Sequence, residues 1–90
     1  MSQSPRVLVV DDEPNMARAI ATALERSGYR CETADGGEAA LRAFEREPAE
    51  VVVTDRKMPG LDGIELMRRL KRLSPTLTFR LVNNTTTMTR

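Results

Sequence analysis

The chain has 90 residues, with 14 basic and 13 acidic side chains, one tyrosine, two phenylalanines and no tryptophan. This length predicts one small domain, and the near-neutral charge with so few aromatic residues argues against a nucleic-acid surface. The single Cys31 cannot form an internal disulfide, and the sequence contains neither a membrane-spanning run nor a signal-peptide core, so we expect a cytoplasmic protein.

The first predicted strand covers residues 7–10, an apolar run that leads directly into the acidic residues 11–13. Pro14 suits the first position of a helix, because no backbone donor is lost there. Apolar residues at helical spacing continue this helix until Gly28, a residue type that commonly ends helices. The inward face of the helix is predicted to carry four apolar residues: Met16, Ile20, Ala23 and Leu24.

The second strand, predicted over residues 29–34, alternates only weakly between apolar and polar residues, as expected near an exposed sheet edge. Asp35 is predicted to be the N-cap of the next helix, with Glu38 three residues later in the position of a capping box. Pro48 ends this helix, because the residue before a proline disfavours helical geometry. Its inward-facing residues are predicted to be Ala40, Leu41 and Phe44.

The third predicted strand is a run of β-branched residues at positions 51–54 that ends at Asp55. Such a uniform run is typical of a parallel strand that is covered on both faces. Turn signals within residues 59–63 precede a third helix over residues 64–73, and a fourth strand is predicted over residues 77–82. The basic side chains of the third helix are interpreted as a solvated face. Its inward-facing residues are predicted to be Ile64, Leu66, Met67, Leu70 and Leu73.

The alternation of four strands with three helices predicts an α/β fold, a doubly wound parallel sheet with helices on both faces. Right-handed crossovers place the first helix on one face and the second and third helices on the other, which gives the strand order 2-1-3-4. Strands one and three then become neighbours, and their carboxyl ends open into one crevice. Asp11 and Asp12 follow one of these strands and Asp55 ends the other, so we expect the three carboxylates to converge.

Converging carboxylates repel one another unless one of them binds a proton or a cation lies between them. Oxygen ligands at an open site favour Mg2+, with Asp12 as a direct ligand, Asp11 acting through water and the backbone carbonyl of Lys57 as a further ligand. Asp55, at the end of a rigid strand, is the natural nucleophile and can accept a phosphoryl group. The alternative is that Asp11 and Asp12 only cap the first helix.

Two stretches, VLVVDDEP at residues 7–14 and VVVTDRKMPGLDG at residues 51–63, resemble the receiver domain of bacterial two-component response regulators. The motif DRKMPG is most similar to receivers of the nitrogen-regulator type. The resemblance to receiver domains runs from Arg6 to about Pro75. It implies a flavodoxin-like receiver fold, with Asp55 as the phosphoacceptor and a sensor histidine kinase as the phosphoryl donor. It also implies a set of Mg2+ ligands: Asp11, Asp12, Asp55 and the Lys57 carbonyl.

The last part of the sequence departs from the family pattern. Family members place a Ser or Thr at the end of the fourth strand, where Asn83 stands here and offers a phosphoryl contact through its amide. Arg80 lies within a strand that is apolar in the family. A fifth strand and the last helices are missing from the sequence, so we expect an incomplete receiver domain at residues 5–82, followed by a polar, Thr-rich tail at residues 83–90.

The leading hypothesis is a phosphoacceptor module of a two-component phosphorelay, which is a signalling protein and not an enzyme. The alternative is a truncated, non-signalling fragment or interaction module with the receiver half-fold and no working switch. A third hypothesis, an aspartyl-phosphate phosphatase, is disfavoured because Lys57 stands where a second acid is needed. We also expect self-association through the exposed fourth strand and the uncovered sheet face beside it.

Overall fold

Strands and helices alternate along residues 4–82, the part of the chain that the computed structural model describes. The elements in chain order are β1 (Arg6–Val10), α1 (Pro14–Arg26), β2 (Arg30–Ala34), α2 (Gly37–Arg46), β3 (Val51–Asp55), α3 (Gly63–Leu73) and β4 (Thr78–Val82). The strands lie parallel in one sheet with the order β2-β1-β3-β4. The predicted doubly wound α/β fold and its strand order are therefore confirmed. None of the helices within these residues is both long and apolar enough to cross a membrane.

The register of β1 against β3 determines where the acidic residues emerge from the sheet. Val10 lies opposite Thr54 in the last pair of this ladder. The residues that come next on the two strands are Asp11 and Asp55, so both acids leave the sheet at its carboxyl edge. This is the edge at which doubly wound sheets bind ligands.

Two apolar layers, one on each face of the sheet, stabilise this arrangement. On one face, Leu8, Val10 and Val52 belong to a buried cluster that also contains side chains of α2 and α3. On the other face, Val7 and Val9 belong to a second cluster with side chains of α1. Burying one such aliphatic side chain contributes about 1.5–3 kcal/mol to the stability of the fold. The two layers therefore hold β1 and β3 side by side. The residues of α2 and α3 in the first layer include Ala40, Ala43, Phe44, Leu66 and Leu70.

The two central strands differ in how completely they are covered. Every residue of β1 is buried, as predicted for a strand with helices on both faces. In β3, Val52 and Thr54 are buried, whereas Val51 and Val53 are only half-buried. The prediction that β3 is covered on both faces is therefore wrong for one face, where α1 lies mainly over β1 and β2 and reaches β3 only in part.

The buried stripe of α1 is rotated from its predicted position by about one residue. Ala17 and Ala21 are the buried residues of this helix, and their small side chains let the helix lie close to β1. Met16 and Ala23, which were expected to face inward, are exposed. The remaining two predicted positions, Ile20 and Leu24, are half-buried and pack against the cluster that contains Val7 and Val9.

The inward face of α3 is shorter than the apolar pattern predicts. Leu66 and Leu70 are fully buried, but Leu73, the last residue of the helix, keeps 57% of its surface exposed. Leu73 borders an open cleft beside Phe44 and Pro48, and it does not close onto the sheet. The prediction of an inward-facing Leu73 is therefore wrong. The other two predicted positions, Ile64 and Met67, are half-buried.

The starts of α2 and α3 are stabilised in different ways. In α2 the N-cap is Gly36 and makes no side-chain capping bond, so the predicted capping box of Asp35 and Glu38 is wrong. A Cβ atom on Gly37 would lie 2.4 Å from the carbonyl oxygen of Leu61, so the start of α2 packs directly against the β3–α3 loop. Close packing against this loop, and not a side-chain cap, places the start of α2.

The α3 helix has the side-chain cap that α2 lacks. The Asp62 side chain accepts a hydrogen bond of 3.0 Å from the backbone N–H of Glu65. This is the bond of an N-cap residue, and it satisfies one of the donors that are otherwise unpaired in the first turn of a helix.

The opposite, amino-terminal edge of the sheet is held by a buried arginine. Arg6 forms an ion pair with Glu32 of β2, and its Nε donates to the Glu47 carbonyl oxygen at 3.2 Å. Its backbone N–H donates to Glu50 Oε1 at 2.7 Å. One residue thereby links β1, β2 and the α2–β3 connection at the edge away from the acidic residues.

Candidate functional site

Three carboxylates meet at the carboxyl edge of the sheet, between β1 and β3. Oxygen atoms of Asp11, Asp12 and Asp55 all lie within 4.8 Å of one another. Asp11 and Asp12 come from the turn after β1, and Asp55 is the last residue of β3. The structure therefore shows the convergence that the predicted strand order requires.

The three carboxylates range from buried to exposed. Asp11 is 1% exposed, and its Oδ1 accepts a hydrogen bond of 2.9 Å from the backbone N–H of Glu13. Asp55 is half-buried and Asp12 is exposed. The cluster is thus anchored on its inner side and open to ligands on its outer side.

The alternative role of Asp11 and Asp12 as helix caps does not match the start of α1. The helix begins at Pro14, and its N-cap position is occupied by Glu13. Neither aspartate stands at the capping position, although Asp11 bonds the backbone of the cap residue. Its carboxylate supports the turn that leads into the helix.

The environment of Asp55 disfavours its charged form. Burial raises the pKa of the Asp55 carboxyl above its ordinary value, and the nearby charge of Asp11, with a smaller effect from Asp12, raises it further. The backbone N–H groups of Lys57 and Arg56 donate to this carboxyl and act in the opposite direction on its pKa. Negative charge is therefore concentrated at a place where burial makes it costly, and a cation relieves that cost.

The donor set fits a hard divalent cation. The cluster offers three carboxylates and no sulfur, and the chain contains no histidine. Such oxygen ligands at an open site match the preferences of Mg2+, which retains several waters and takes one or two carboxylates. The residues that would hold the ion are Asp11, Asp12 and Asp55.

The loop after Asp55 packs closely against the end of β3. A Cβ atom on Gly63 would lie 2.5 Å from the Asp55 carbonyl oxygen, so only glycine allows this approach. Met58 is 8% exposed and belongs to the layer beneath α2 and α3. The Lys57 side chain is exposed. Its backbone carbonyl as a metal ligand stays a prediction.

Thr54 is a site residue that the sequence reasoning missed. It is fully buried next to Asp55, and its Oγ1 lies 3.0 Å from the Asp55 carbonyl oxygen. In the sequence it reads only as the last β-branched residue of an apolar run, so no signal distinguished it. Asn83, the predicted phosphoryl contact, lies outside the described residues 4–82.

A family model for the response regulator receiver domain matches residues 7–88 of the chain. The chain belongs to the response regulator receiver domain family. The match extends into residues 83–90, and the division into a domain at residues 5–82 and a separate tail stays a prediction. The nitrogen-regulator type of receiver also stays a prediction.

Individual receivers show how much of the chain is shared. The chain is similar to the response regulator receiver protein CpdR of Brucella abortus, with 39% identity over 72 residues, which are 80% of this chain and 60% of CpdR. The structure is similar to that of a response regulator receiver domain protein from Clostridium thermocellum, with a TM-score of 0.83 and 32% identity over 88% of this chain and 64% of that chain. The chain thus spans less than two thirds of the length of either relative.

A further structural neighbour comes from a complex that includes a histidine kinase. It is a chain in the crystal structure of histidine kinase ThkA in complex with response regulator protein TrrA, with a TM-score of 0.80 and 34% identity. The likeness covers 88% of this chain and 68% of that one. Both the fold and the family of the present chain are those of receivers, which are signalling modules.

Proposed function

We propose that this receiver accepts a phosphoryl group on Asp55 from a sensor histidine kinase, in a step that depends on Mg2+. The observation that carries the proposal is the cluster of Asp11, Asp12 and Asp55 within 4.8 Å at the end of β1 and β3. A nucleophile at the end of a central strand of the sheet is held still, and the open side of the cluster admits a phosphodonor.

The reaction is a transfer between two protein side chains. An Asp55 carboxylate oxygen attacks the phosphorus of a phosphohistidine, a new O–P bond forms, and the P–N bond to the donor imidazole breaks. The imidazole leaves with the electron pair of that bond and takes up a proton. Bound Mg2+ supplies positive charge next to the oxygens of the transferring group.

The residues around Asp55 have separate roles in this proposal. Asp12, which is exposed, is a direct metal ligand, and Asp11 acts from its buried position through water. The backbone N–H groups of Arg56 and Lys57 orient the acceptor carboxylate. The Lys57 carbonyl completes the proposed ligand set, and Asn83 is proposed as a contact of the phosphoryl group.

The partner in this proposal is a sensor histidine kinase in the cytoplasm. The similarity to a chain in the complex of ThkA with TrrA supports a kinase partner, because that complex joins a histidine kinase to a response regulator. The proposal includes no nucleic-acid or membrane partner. Self-association through β4 is a separate part of the proposal.

The test measures transfer from a small phosphodonor such as acetyl phosphate, with and without Mg2+. We expect intact-mass spectrometry to detect one added phosphoryl group on the wild-type chain only when Mg2+ is present, and none on Asp55→Asn. Asp62→Asn is the matched control, because it changes a carboxylate of the same loop and retains a residue that can cap α3.

Three outcomes would contradict the proposal. Phosphoryl label on Asp55→Asn would show that Asp55 is not the acceptor. An unlabelled wild-type protein would favour the alternative of an interaction module that has the receiver half-fold and no phosphoacceptor activity, and continuous turnover of the donor would favour a phosphatase.

A further inference from the structure

Thr54 places a hydroxyl group in the apolar layer directly beneath the site. The residue is 1% exposed and lies opposite Val10 on one side and Leu81 on the other. Because successive side chains of a strand alternate between the faces of a sheet, Thr54 points away from the face of Asp55. A hydroxyl in such a position is costly unless it makes a hydrogen bond.

The Thr54 hydroxyl has two acceptors within reach and one proton to donate. Its Oγ1 lies 3.0 Å from the Asp55 carbonyl oxygen and 3.9 Å from Met58 Sδ. A carbonyl oxygen is a stronger acceptor than a thioether sulfur, so the proton is donated to Asp55. Valine would fill the same space and would lack this bond.

The same carbonyl group is confined from a second side. Gly63 approaches so closely that a Cβ atom there would lie 2.5 Å from the Asp55 oxygen, and the Gly63 N–H donates to the Arg56 oxygen at 3.0 Å. The peptide group between Asp55 and Arg56 is planar, so fixing its C=O also fixes its N–H. That N–H donates to the Val82 carbonyl of β4 at 3.1 Å and also faces the Asp55 carboxylate.

We propose that Thr54 is a positioning residue for Asp55. Its hydroxyl fixes the peptide group that follows Asp55 and thereby holds the Arg56 N–H toward the acceptor carboxylate. It also steadies the start of the loop whose next N–H, that of Lys57, donates to the same carboxylate. The effect on phosphorylation rests on the proposed function. The effect on the loop belongs to the metal-free protein and is measured independently of that function.

The first experiment compares Thr54→Val with Thr54→Ser and with Thr33→Val. The valine variant removes the hydroxyl and keeps the shape, and the serine variant restores the hydroxyl. Thr33 lies near the same sheet edge on β2 and is exposed, so its variant controls for loss of a strand hydroxyl. At saturating Mg2+ we expect Thr54→Val to slow labelling by acetyl phosphate about tenfold or more, because a misplaced reacting group loses rate steeply. Thr54→Ser and Thr33→Val should label at nearly the wild-type rate.

The second experiment follows amide hydrogen exchange in the metal-free protein by NMR. We expect exchange at Arg56 and Lys57 to become about tenfold faster in Thr54→Val, the size expected when one buried hydrogen bond is lost. The amide of Leu8, in the fully buried β1, reports global opening in the same samples. An increase at the loop that exceeds the increase at Leu8, and that Thr54→Ser reverses, would support positioning.

The outcomes separate this inference from the proposed function. Equal exchange in Thr54→Val and wild type, or a loop increase no larger than that at Leu8, would overturn the inference. So would an unchanged labelling rate in a Thr54→Val protein whose loop has loosened. A wild-type protein that takes no label overturns the proposed function, and the exchange data then decide whether Thr54 holds the loop.

Discussion

Gly63 lies where the first turn of α3 meets the backbone of Asp55. A Cβ atom at this position would lie 2.5 Å from the Asp55 oxygen and 3.1 Å from the Arg56 Cα, both of which are backbone atoms that cannot rotate away. We predict that Gly63→Ala destabilises the fold by about 1–3 kcal/mol, the usual cost of forcing extra volume into a packed site. It should also reduce phosphoryl acceptance, because α3 and the end of β3 must move apart.

Gly36→Ala is the matched control for this substitution. Nothing lies within 4 Å of a Cβ atom built on Gly36, and its backbone is extended and free of strain for other residues. Chemical denaturation measures the difference in the free energy of unfolding between each variant and the wild type. Equal stabilities of Gly63→Ala and Gly36→Ala would contradict the predicted contact.

The same residues show which parts of the site the sequence can predict. Convergence of Asp11 and Asp55 follows from strand order alone, because parallel strands present their carboxyl ends at one edge. The contacts of Gly63 depend on how closely α3 approaches β3, and the contacts of Thr54 depend on the backbone path of the loop after Asp55. The glycine at the start of α3 indicates a close approach, and the atoms that it approaches become known only from the structure.

At the scale of elements, the ion pair and hydrogen bonds of Arg6 stabilise β2 and the α2–β3 connection, and this stabilisation depends on pH. The hydrogen bond from Arg6 holds the pKa of Glu32 below its ordinary value of 4.5, Arg46 acts in the same direction, and burial opposes both. A carboxyl group with a lowered pKa in the folded state stabilises the fold above its unfolded pKa. That stability is lost as the pH falls through the folded pKa.

We therefore predict that the free energy of unfolding decreases as the pH is lowered from 4.5 towards the lower folded pKa of Glu32. In Glu32→Gln the decrease over this range should be shallower, because the titrating group is absent. Glu45→Gln removes an exposed carboxylate of α2 and should keep the wild-type slope. Denaturation at a series of pH values measures the slopes, and equal slopes in Glu32→Gln and wild type would rule out this contribution.

The helices also show where sequence patterns fail at the element scale. Asp62 caps α3 by accepting from the backbone N–H of Glu65, whereas Asp35, which has the same spacing to Glu38, does not cap α2. The difference is tertiary, because Gly37 packs against Leu61 and the contact places the start of α2 two residues after Asp35. A local cap is worth about 1 kcal/mol, and close packing between elements outweighs it.

At the scale of the whole molecule, the two edge strands of the sheet, β2 and β4, differ in how completely helices cover them. The β2 end is covered by α1 on one face and α2 on the other. At the β4 end, among the described residues, only the face of α2 and α3 has a helix layer that reaches the strand, through Phe79. On the opposite face Thr78 and Arg80 are exposed, and Leu81 keeps 40% of its surface exposed on the covered face. An edge strand with exposed apolar residues is a template for pairing with another chain.

We predict that the 90-residue chain self-associates through β4, so that its weight-average mass in sedimentation experiments rises with concentration. Leu81→Lys should reduce this association, because a lysine on an edge strand opposes pairing by charge and by solvation. Leu73→Lys is the control, since Leu73 is the more exposed apolar residue at 57% and lies on α3, away from the edge. If apolar exposure alone drove association, Leu73→Lys would reduce it more than Leu81→Lys. If the strand edge drives association, Leu81→Lys will reduce it more.

The exposed Arg80 limits how closely two β4 strands can pair at their centre, so the association should strengthen at high salt, where like charges are screened. A wild-type chain that sediments as a compact monomer at high concentration and melts cooperatively would contradict the prediction.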